Sequence, residues 1–393
     1  MKIDIDNIRA ETPGVQQVKH FNNAGSSLVP QAVSQAVIDY LREEELYGGY
    51  EVEAKYQSQL EDTYVQTAKL INAQPGEIAY MESATAAWGA AFYAIPFKAG
   101  DIVLTGLSEY ASNYIPFLQL KKRLGLEIRI IPDDSYGQIS LDHLKNMITD
   151  RVKLIAITHI PTNGGLVNPA REIGEIANNA GIWYLLDACQ SLGQYPVDVK
   201  KIGCQILSAT GRKFLRAPRG SGFLYVDDNI LSQLEPEQLD MHGATWTTTD
   251  GYEMRRDARR FELWESSYAL KMGFRAAVIY TLELGIENIW ERVQSLGQMF
   301  RERLMEVEKV ELHDKGKEKC GIVTFSVKEQ DGSHIKRELA KHQINVSISP
   351  ANSTLLDMQE RKLPELVRAS VHYYNTEQEI GIFVEKLSEI VRG

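Results

Sequence analysis

The chain has 393 residues, 44% of them hydrophobic and 24% charged, which excludes a disordered chain and calls for one large or two ordinary domains. Its 43 Lys+Arg against 53 Asp+Glu leave a net charge of −10, without the basic footprint of a general nucleic-acid binder, so no nucleic-acid partner is expected. Cys189, Cys204 and Cys320 are widely spaced with no CxxC pair, which excludes a disulfide scaffold or a Cys-based zinc site and fits a reducing compartment.

In chain order, Met1–Thr12 is polar and acidic, lacking the basic and apolar regions of a secretory signal. No apolar run approaches the roughly 18 to 20 residues that span a bilayer. The expectation is a cytoplasmic protein without a membrane partner. Gln31–Leu46 reads as a helix behind Pro30, with Val33, Val37, Tyr40 and Leu41 on one stripe. Ala54–Leu70 reads as a second helix and the Ala-rich Ala84–Ile95 as a third. Short apolar runs then alternate with helical patterns. The runs are Ile102–Thr105, Ile128–Ile131, Leu154–Ile160, Ile182–Leu186, Ile206–Ser208 and Gly222–Val226. The helices are Ile115–Arg123, Leu141–Met147 and Ala170–Asn178, the last with Asn168 as N-cap, Pro169 at the first helical position and Gly181 past its end. Near-continuous apolar strands separated by helices predict an α/β fold with a mostly parallel central sheet covered on both faces.

From about Asp250 the texture changes. Helices at Tyr268–Leu284 and Ile289–Val307 precede strands at Gly321–Ser326 and Leu366–Val371, and a final helix opens with a capping box, Thr376 and Glu379. The expected organisation is a large domain over 21–250 and a smaller α+β domain over 251–393, with residues 1–20 packing on the small domain. No Ser/Gly linker separates the halves, so they share an interface.

Three segments carry chemistry. Asp187-Ala188-Cys189-Gln190 ends an apolar run, where a carboxylate is costly unless a cation or hydrogen-bond donor meets it; a helix N-cap is the plainer reading. Ser208-Ala209-Thr210-Gly211-Arg212-Lys213-Phe214 follows the next strand. Neighbouring cations and partial burial favour the neutral, nucleophilic form of Lys213, an imine-forming amine. The alternative is a solvated basic loop, against which stand the interleaved Phe214 and Leu215. Third, Glu82-Ser83-Ala84-Thr85 opens a helix whose N–H groups and hydroxyls can hold a phosphate, or which Ser83 simply caps. A reactive lysine, an aspartate for a ring nitrogen and a phosphate-holding helix start are the protein-side needs of pyridoxal 5'-phosphate (PLP).

On these motifs the chain resembles the fold-type I PLP enzymes of the aminotransferase class V group, which includes cysteine desulfurases, C–S lyases and isopenicillin N epimerase-like proteins. The resemblance runs from Phe21-Asn22-Asn23-Ala24-Gly25 to the segment Val367–Thr376, with Arg368 in it. It implies PLP as cofactor, a small-molecule amino-acid substrate and a homodimer with a shared active site. It makes Lys213 the covalent cofactor lysine and proton shuttle, Asp187 the partner of the ring nitrogen and Gln190 the contact to the ring hydroxyl. Tyr110 takes the place of a ring-stacking histidine; a phenol stacks as well but is a poorer acid near neutrality. Ser83, Ala84 and Thr85 resemble the phosphate cup, and Thr210 and Arg212 stand for the usual Ser and His before the lysine, a guanidinium suiting a phosphate dianion. Thr162 is expected at the cofactor, Asn22, Asn23 and Asn163 on the substrate side, and Arg368 on the substrate carboxylate. His242–Trp246 is expected to reach the neighbouring subunit's phosphate.

The departures choose the branch. Desulfurases carry a catalytic cysteine on a loop shortly before the carboxylate arginine, and Val346–Ser353 contains none. Cys320 lies too far upstream, and Cys189 reads as a small packed residue. The surroundings of Lys213, with Pro161–Gly165, look closer to the lyase and epimerase-like branch, which includes enzymes that cleave cysteine-sulfoxide conjugates in thiohistidine pathways. The expected reaction is β-elimination from a cysteine conjugate or its sulfoxide, giving pyruvate, ammonia and a sulfur product. A class V aminotransferase or an amino-acid epimerase would use the same α-carbanion and stays as the alternative. A non-catalytic PLP-fold protein is the reading from a different class. The histidines lack HxxxH or HExxH spacing, so no metal is expected. Trp246, Tyr252, Trp264 and Tyr268 read as an aromatic wall at a dimer interface.

Overall fold

Seven strands form the central sheet: β1 (Ile78–Met81), β2 (Ile102–Gly106), β3 (Glu127–Ile131), β4 (Val152–Thr158), β5 (Trp183–Asp187), β6 (Ile206–Thr210) and β7 (Gly222–Val226), in the order β1-β7-β6-β5-β4-β2-β3. The computed structural model describes residues 3–392, so Met1, Lys2 and Gly393 lie outside the described residues. Strands β2 to β6 run parallel to one another, while β7 is antiparallel to both its neighbours, β1 and β6. The apolar runs were continuous because both faces are covered. Successive residues of each strand feed opposite cores. Ile102, Leu104, Ile155, Ile157 and Leu186 join one core, and Val103, Leu154, Ala156 and Leu185 the other. The first is covered by helices Gly49–Ile71, Ala170–Asn179 and Tyr268–Leu284, the second by Ala84–Ala94 and Ala111–Leu124.

Phe274, Ala277 and Val278 of the helix Tyr268–Leu284 are buried with the central sheet, and the chain turns after that helix at Gly285, which adopts φ of 78°. The smaller unit is an antiparallel sheet of β8 (Val310–Leu312), β9 (Ile322–Val327), β10 (Ser347–Ser349) and β11 (Leu366–Ser370), in the order β8-β9-β11-β10. Helices Ile286–Met305, Gly332–Lys341 and Glu377–Arg392 cover it around Phe300, Val323, Phe325 and Phe383. Phe21 joins this core, and Lys19–His20 pairs in parallel with Ile344–Asn345.

The final helix has its capping box in both directions: Glu379 N–H donates to the Thr376 hydroxyl at 3.1 Å and Thr376 N–H to the Glu379 carboxylate at 3.2 Å. Asn168 does not cap the helix Ala170–Asn179 as expected. Its amide donates to the Thr158 carbonyl and its oxygen accepts from Ile139 N–H, tying down the end of β4 instead. The chemistry-bearing residues gather where parallel strands end: Tyr110 beyond β2, Asp187 at the end of β5, Thr210 at the end of β6. Open α/β sheets place ligands at these carboxyl ends.

Candidate active site

Lys213 sits on a tight turn directly after β6. The turn rests on Gly193, whose φ is +89° and where a Cβ would lie 2.4 Å from the Phe214 carbonyl group. Only glycine permits that approach, which brings the lysine turn against the segment that follows Gln190. Lys213 is half-buried, and desolvation is the largest influence on its amine and pushes its pKa down; Arg212 and Arg368 push the same way, against Cys189 and Asp187. The Lys213 Nζ lies 6.0 Å from the centroid of the Tyr110 ring.

Asp187 is 4% exposed. Its Oδ1 accepts from Cys189 N–H at 2.8 Å and its Oδ2 from the Asn113 amide at 2.8 Å. Behind it lies a residue the sequence reading passed over. Glu109 is buried with no cation paired to it among the described residues. Five donors converge on it: Tyr110 N–H at 2.9 Å, the Asn113 amide at 2.9 Å, Thr158 N–H at 3.2 Å and the hydroxyls of Thr105 and Thr158 at 3.0 and 2.5 Å. Desolvation still pushes its pKa up, with hydrogen bonds from Thr158 and Asn113 pulling against it. Glu109 and Asn113 flank Tyr110, and the Glu–Asn spacing of four on a helix start was the available signal.

Gln190 is buried and donates to the Ala24 carbonyl at 3.2 Å and the Thr162 hydroxyl at 3.4 Å, while its Oε1 has no partner. Arg368, on β11, donates to the Thr162 carbonyl at 3.3 Å, to the Thr162 hydroxyl and, through Nε, to Ser347 Oγ at 3.0 Å. No carboxylate pairs with it among the described residues, and desolvation lowers its pKa to about 10. A guanidinium held among neutral acceptors, a carbonyl and two hydroxyls, has the chemistry to bind an anion.

Asn23 differs from its expected substrate-facing role. It is fully buried; its amide donates to the Ser370 carbonyl at 2.7 Å and its oxygen accepts from the Tyr374 hydroxyl. Its polar atoms are consumed in holding the N-terminal segment to the small unit, whereas the neighbouring Asn22 Oδ1 is buried without a partner. The Arg212 guanidinium donates to the Gly25 carbonyl and so turns toward this same segment.

At the far side, Ser83 caps the helix Ala84–Ala94 by accepting from Ala86 N–H at 3.1 Å. Gly222 pairs with both Thr210 and Met81, and a Cβ on it would sit 3.3 Å from Ser83 backbone. This close packing sets Ser83 and Ala84 beside Thr210. Thr85 lines an adjoining cavity of about 590 Å³, with Glu82, Glu262, Glu265 and Ser266.

Fold and site together define an α/β protein with a half-buried lysine just after β6, a buried aspartate one strand away and an arginine contributed by β11. The chain belongs to the aminotransferase class-V family, whose model matches residues 20–383. It is 27% identical to a probable cysteine desulfurase of Methanothermobacter thermautotrophicus, over 98% of each chain, and 28% identical to a cysteine desulfurase of Yersinia pestis, over 99% of each. Among solved structures it resembles an apo cysteine desulfurase from Thermococcus onnurineus NA1, with a TM-score of 0.93, 26% identity, and 100% of this chain and 99% of that one covered. It also shares its fold with the cystine C–S lyase C-DES, solved as a complex with its reaction product cysteine persulfide, at a TM-score of 0.87 and 20% identity over 96% and 99% of the two chains.

The family is PLP-dependent, and the residues present fit that cofactor. Gln190 Oε1 is an orphaned buried acceptor, Asp187 retains acceptor capacity beyond its two hydrogen bonds, and Lys213 is held toward its neutral form.

Proposed function

We propose that this chain is a PLP-dependent C–S lyase acting on cysteine-type amino acids by β-elimination, with pyruvate and ammonia as products alongside the released sulfur species. The observation that carries the reading is the pairing of Lys213, Asp187 and Arg368 with a β10 region, Val346–Ser353, that holds no thiol. The names of the relatives support carbon–sulfur cleavage as the broader chemistry.

When bound, PLP supplies an electron sink for the pair left when the substrate α-proton departs. Lys213, Asp187 and Gln190, with Ser83, Ala84, Thr85, Thr210 and Arg212 toward the phosphate, are the residues that would hold it. Tyr110 and Thr162 would border it. Arg368 would orient the substrate α-carboxylate, Asp187 would keep a proton on the ring nitrogen, and Lys213, free as the neutral amine, would take the α-proton. Loss of the sulfur substituent from Cβ then needs no protein thiol.

A desulfurase is the second reading, and Cys189 favours it, since its thiol lies within electrostatic range of Lys213 and Asp187. Burial pushes that thiol well above its usual range, which keeps it protonated and a poor nucleophile. Cys204 and Cys320 are buried in apolar cores. Replacing Cys189 by Ala separates the two: a lyase keeps its turnover, whereas loss of turnover with retained cofactor would assign Cys189 the sulfur-accepting role.

A homodimer with a shared site belongs to the same proposal. The exposed Trp246, Met241 and Tyr252 around a groove of about 490 Å³ support it, as does the neighbouring cavity that opens on Thr85.

A further inference from the structure

The carboxylate of Asp187 is not alone in the interior. The Asn113 amide donates one N–H to Asp187 Oδ2 at 2.8 Å and the other to Glu109 Oε1 at 2.9 Å. Both partners are acceptors, so chemistry fixes the amide orientation and both N–H groups are spent. Glu109 is held in turn by donors that cannot rotate away: Tyr110 N–H and the Asn113 amide on Oε1, and Thr158 N–H on Oε2. Three N–H donors shared between its two oxygens favour the carboxylate, against the burial that favours the acid.

Burying an anion with no cation is costly. A merely space-filling residue would not need the charge. Its electrostatic neighbour is Asp187, and the Tyr184 phenol is the other titratable group in its field. Asp187 is itself faced by Lys213 and Cys189. In a low-dielectric interior a second negative charge behind Asp187 deepens the potential in front of it, which favours a proton on whatever base Asp187 pairs with.

We propose that Glu109, acting through Asn113 and Asp187, is a positioning residue that holds the proton on the cofactor's ring nitrogen. This rests on the PLP reading above. Asp187 makes the contact, and Glu109 supplies a remote charge that an aspartate by itself would lack.

The test uses the full-length protein loaded with PLP labelled with nitrogen-15 in the ring, followed by the ring-nitrogen chemical shift across a pH series. The wild type is expected to show a protonated ring nitrogen at neutral pH, and Asp187→Asn to lose it. Glu109→Gln keeps the shape and removes the charge, and is expected to lower the pH at which the ring nitrogen loses its proton by ~1 unit, a tenfold change. A glutamine amide would also meet Thr158 N–H, so Thr105→Val provides a second variant that removes one hydroxyl donor from Glu109 and should shift the nitrogen in the same direction by less. Unchanged shifts in folded Glu109→Gln and Thr105→Val, with Asp187→Asn still deprotonated, would overturn the proposal while leaving the PLP reading intact. Failure of the wild type to take up PLP would overturn both.

Discussion

Arg368 and Thr162 meet through two oxygens: the guanidinium of one reaches both the carbonyl and the hydroxyl of the other, across the junction of the two units. Thr162 also lies 3.4 Å from the Gln190 amide, so one threonine connects the arginine from β11 to the segment that follows Asp187. The Arg368 guanidinium is thereby positioned by groups of the chain itself.

In the proposed role of Arg368, charge-assisted hydrogen bonds from a guanidinium to a carboxylate contribute ~2–3 kcal/mol, or ~30- to 150-fold in kcat/KM. Arg368→Ala is expected to lose that much, with the loss in KM more than in kcat and with PLP uptake retained. Steady-state kinetics and cofactor titration check this. Equal kcat/KM in wild type and variant would remove Arg368 from substrate binding.

Lys213→Ala should bind PLP without a covalent link. Borohydride treatment followed by intact mass is the measurement: the wild type gains the mass of reduced cofactor, and the variant does not. A variant that is still labelled would point to Lys271, which is buried and hydrogen-bonded to Tyr64 at 2.7 Å, or to another amine.

Arg216 makes a stability prediction. It is 1% exposed, adopts a φ of 63°, and donates to the Leu28 carbonyl, the Tyr373 hydroxyl and Thr12 Oγ1 at 2.8, 2.8 and 2.6 Å. Its guanidinium also lies over the Tyr374 ring at 4.6 Å. It therefore fastens the turn after Lys213 to the N-terminal segment and to the small unit. Arg216→Met fills the space but strands three polar partners, at ~1 kcal/mol or more each, so a loss of ~3 kcal/mol or more is expected in urea unfolding. A change within ~0.5 kcal/mol would contradict the assignment.

His372 carries a pH dependence. Its Nε2 is 2.8 Å from the Phe214 carbonyl and its Nδ1 accepts from Tyr373 N–H at 3.0 Å, so a second ring proton would face an N–H. Burial, reinforced by Arg216, holds its pKa well below 6.5. Below about pH 6.5 the unfolded chain takes up a proton on this ring that the folded chain refuses. Its contribution to stability is therefore complete above that pH and falls as the solution is acidified. His159, lowered to about 4 by burial, acts in the same direction. In His372→Gln the slope of stability against pH between 6.5 and 5 should decrease by about one proton; an unchanged slope would show that His372 titrates normally.

What the sequence disclosed follows from how local each signal is. Strands β2, β5, β6 and β7 were legible because burial on both faces makes them continuous apolar runs, and Asp187 and Lys213 were legible because they punctuate the ends of two such runs. Strand β1 was not, since Ile78–Met81 has only four residues and is defined by its pairing with β7. The hairpin Ala244–Met254 is largely exposed and has no apolar alternation to reveal it. Glu109 lay beside Tyr110 in plain view, yet its meaning depends on Asn113 and Thr158 reaching it from two other elements. The two asparagines of Asn22-Asn23 are indistinguishable in sequence, and only contacts with Ser370 and Tyr374, nearly the whole chain away, decide which one is used up.

The most direct test of the central claim is product analysis. PLP-loaded protein would be incubated with L-cysteine, cystine, S-substituted cysteines and their sulfoxides, and the products read by mass spectrometry. Pyruvate formed together with the released sulfur species, in wild type and in Cys189→Ala alike, is the predicted result. Alanine with sulfur retained on the protein, a keto acid that keeps its side chain, or exchange of the α-proton with no carbon–sulfur cleavage would contradict it.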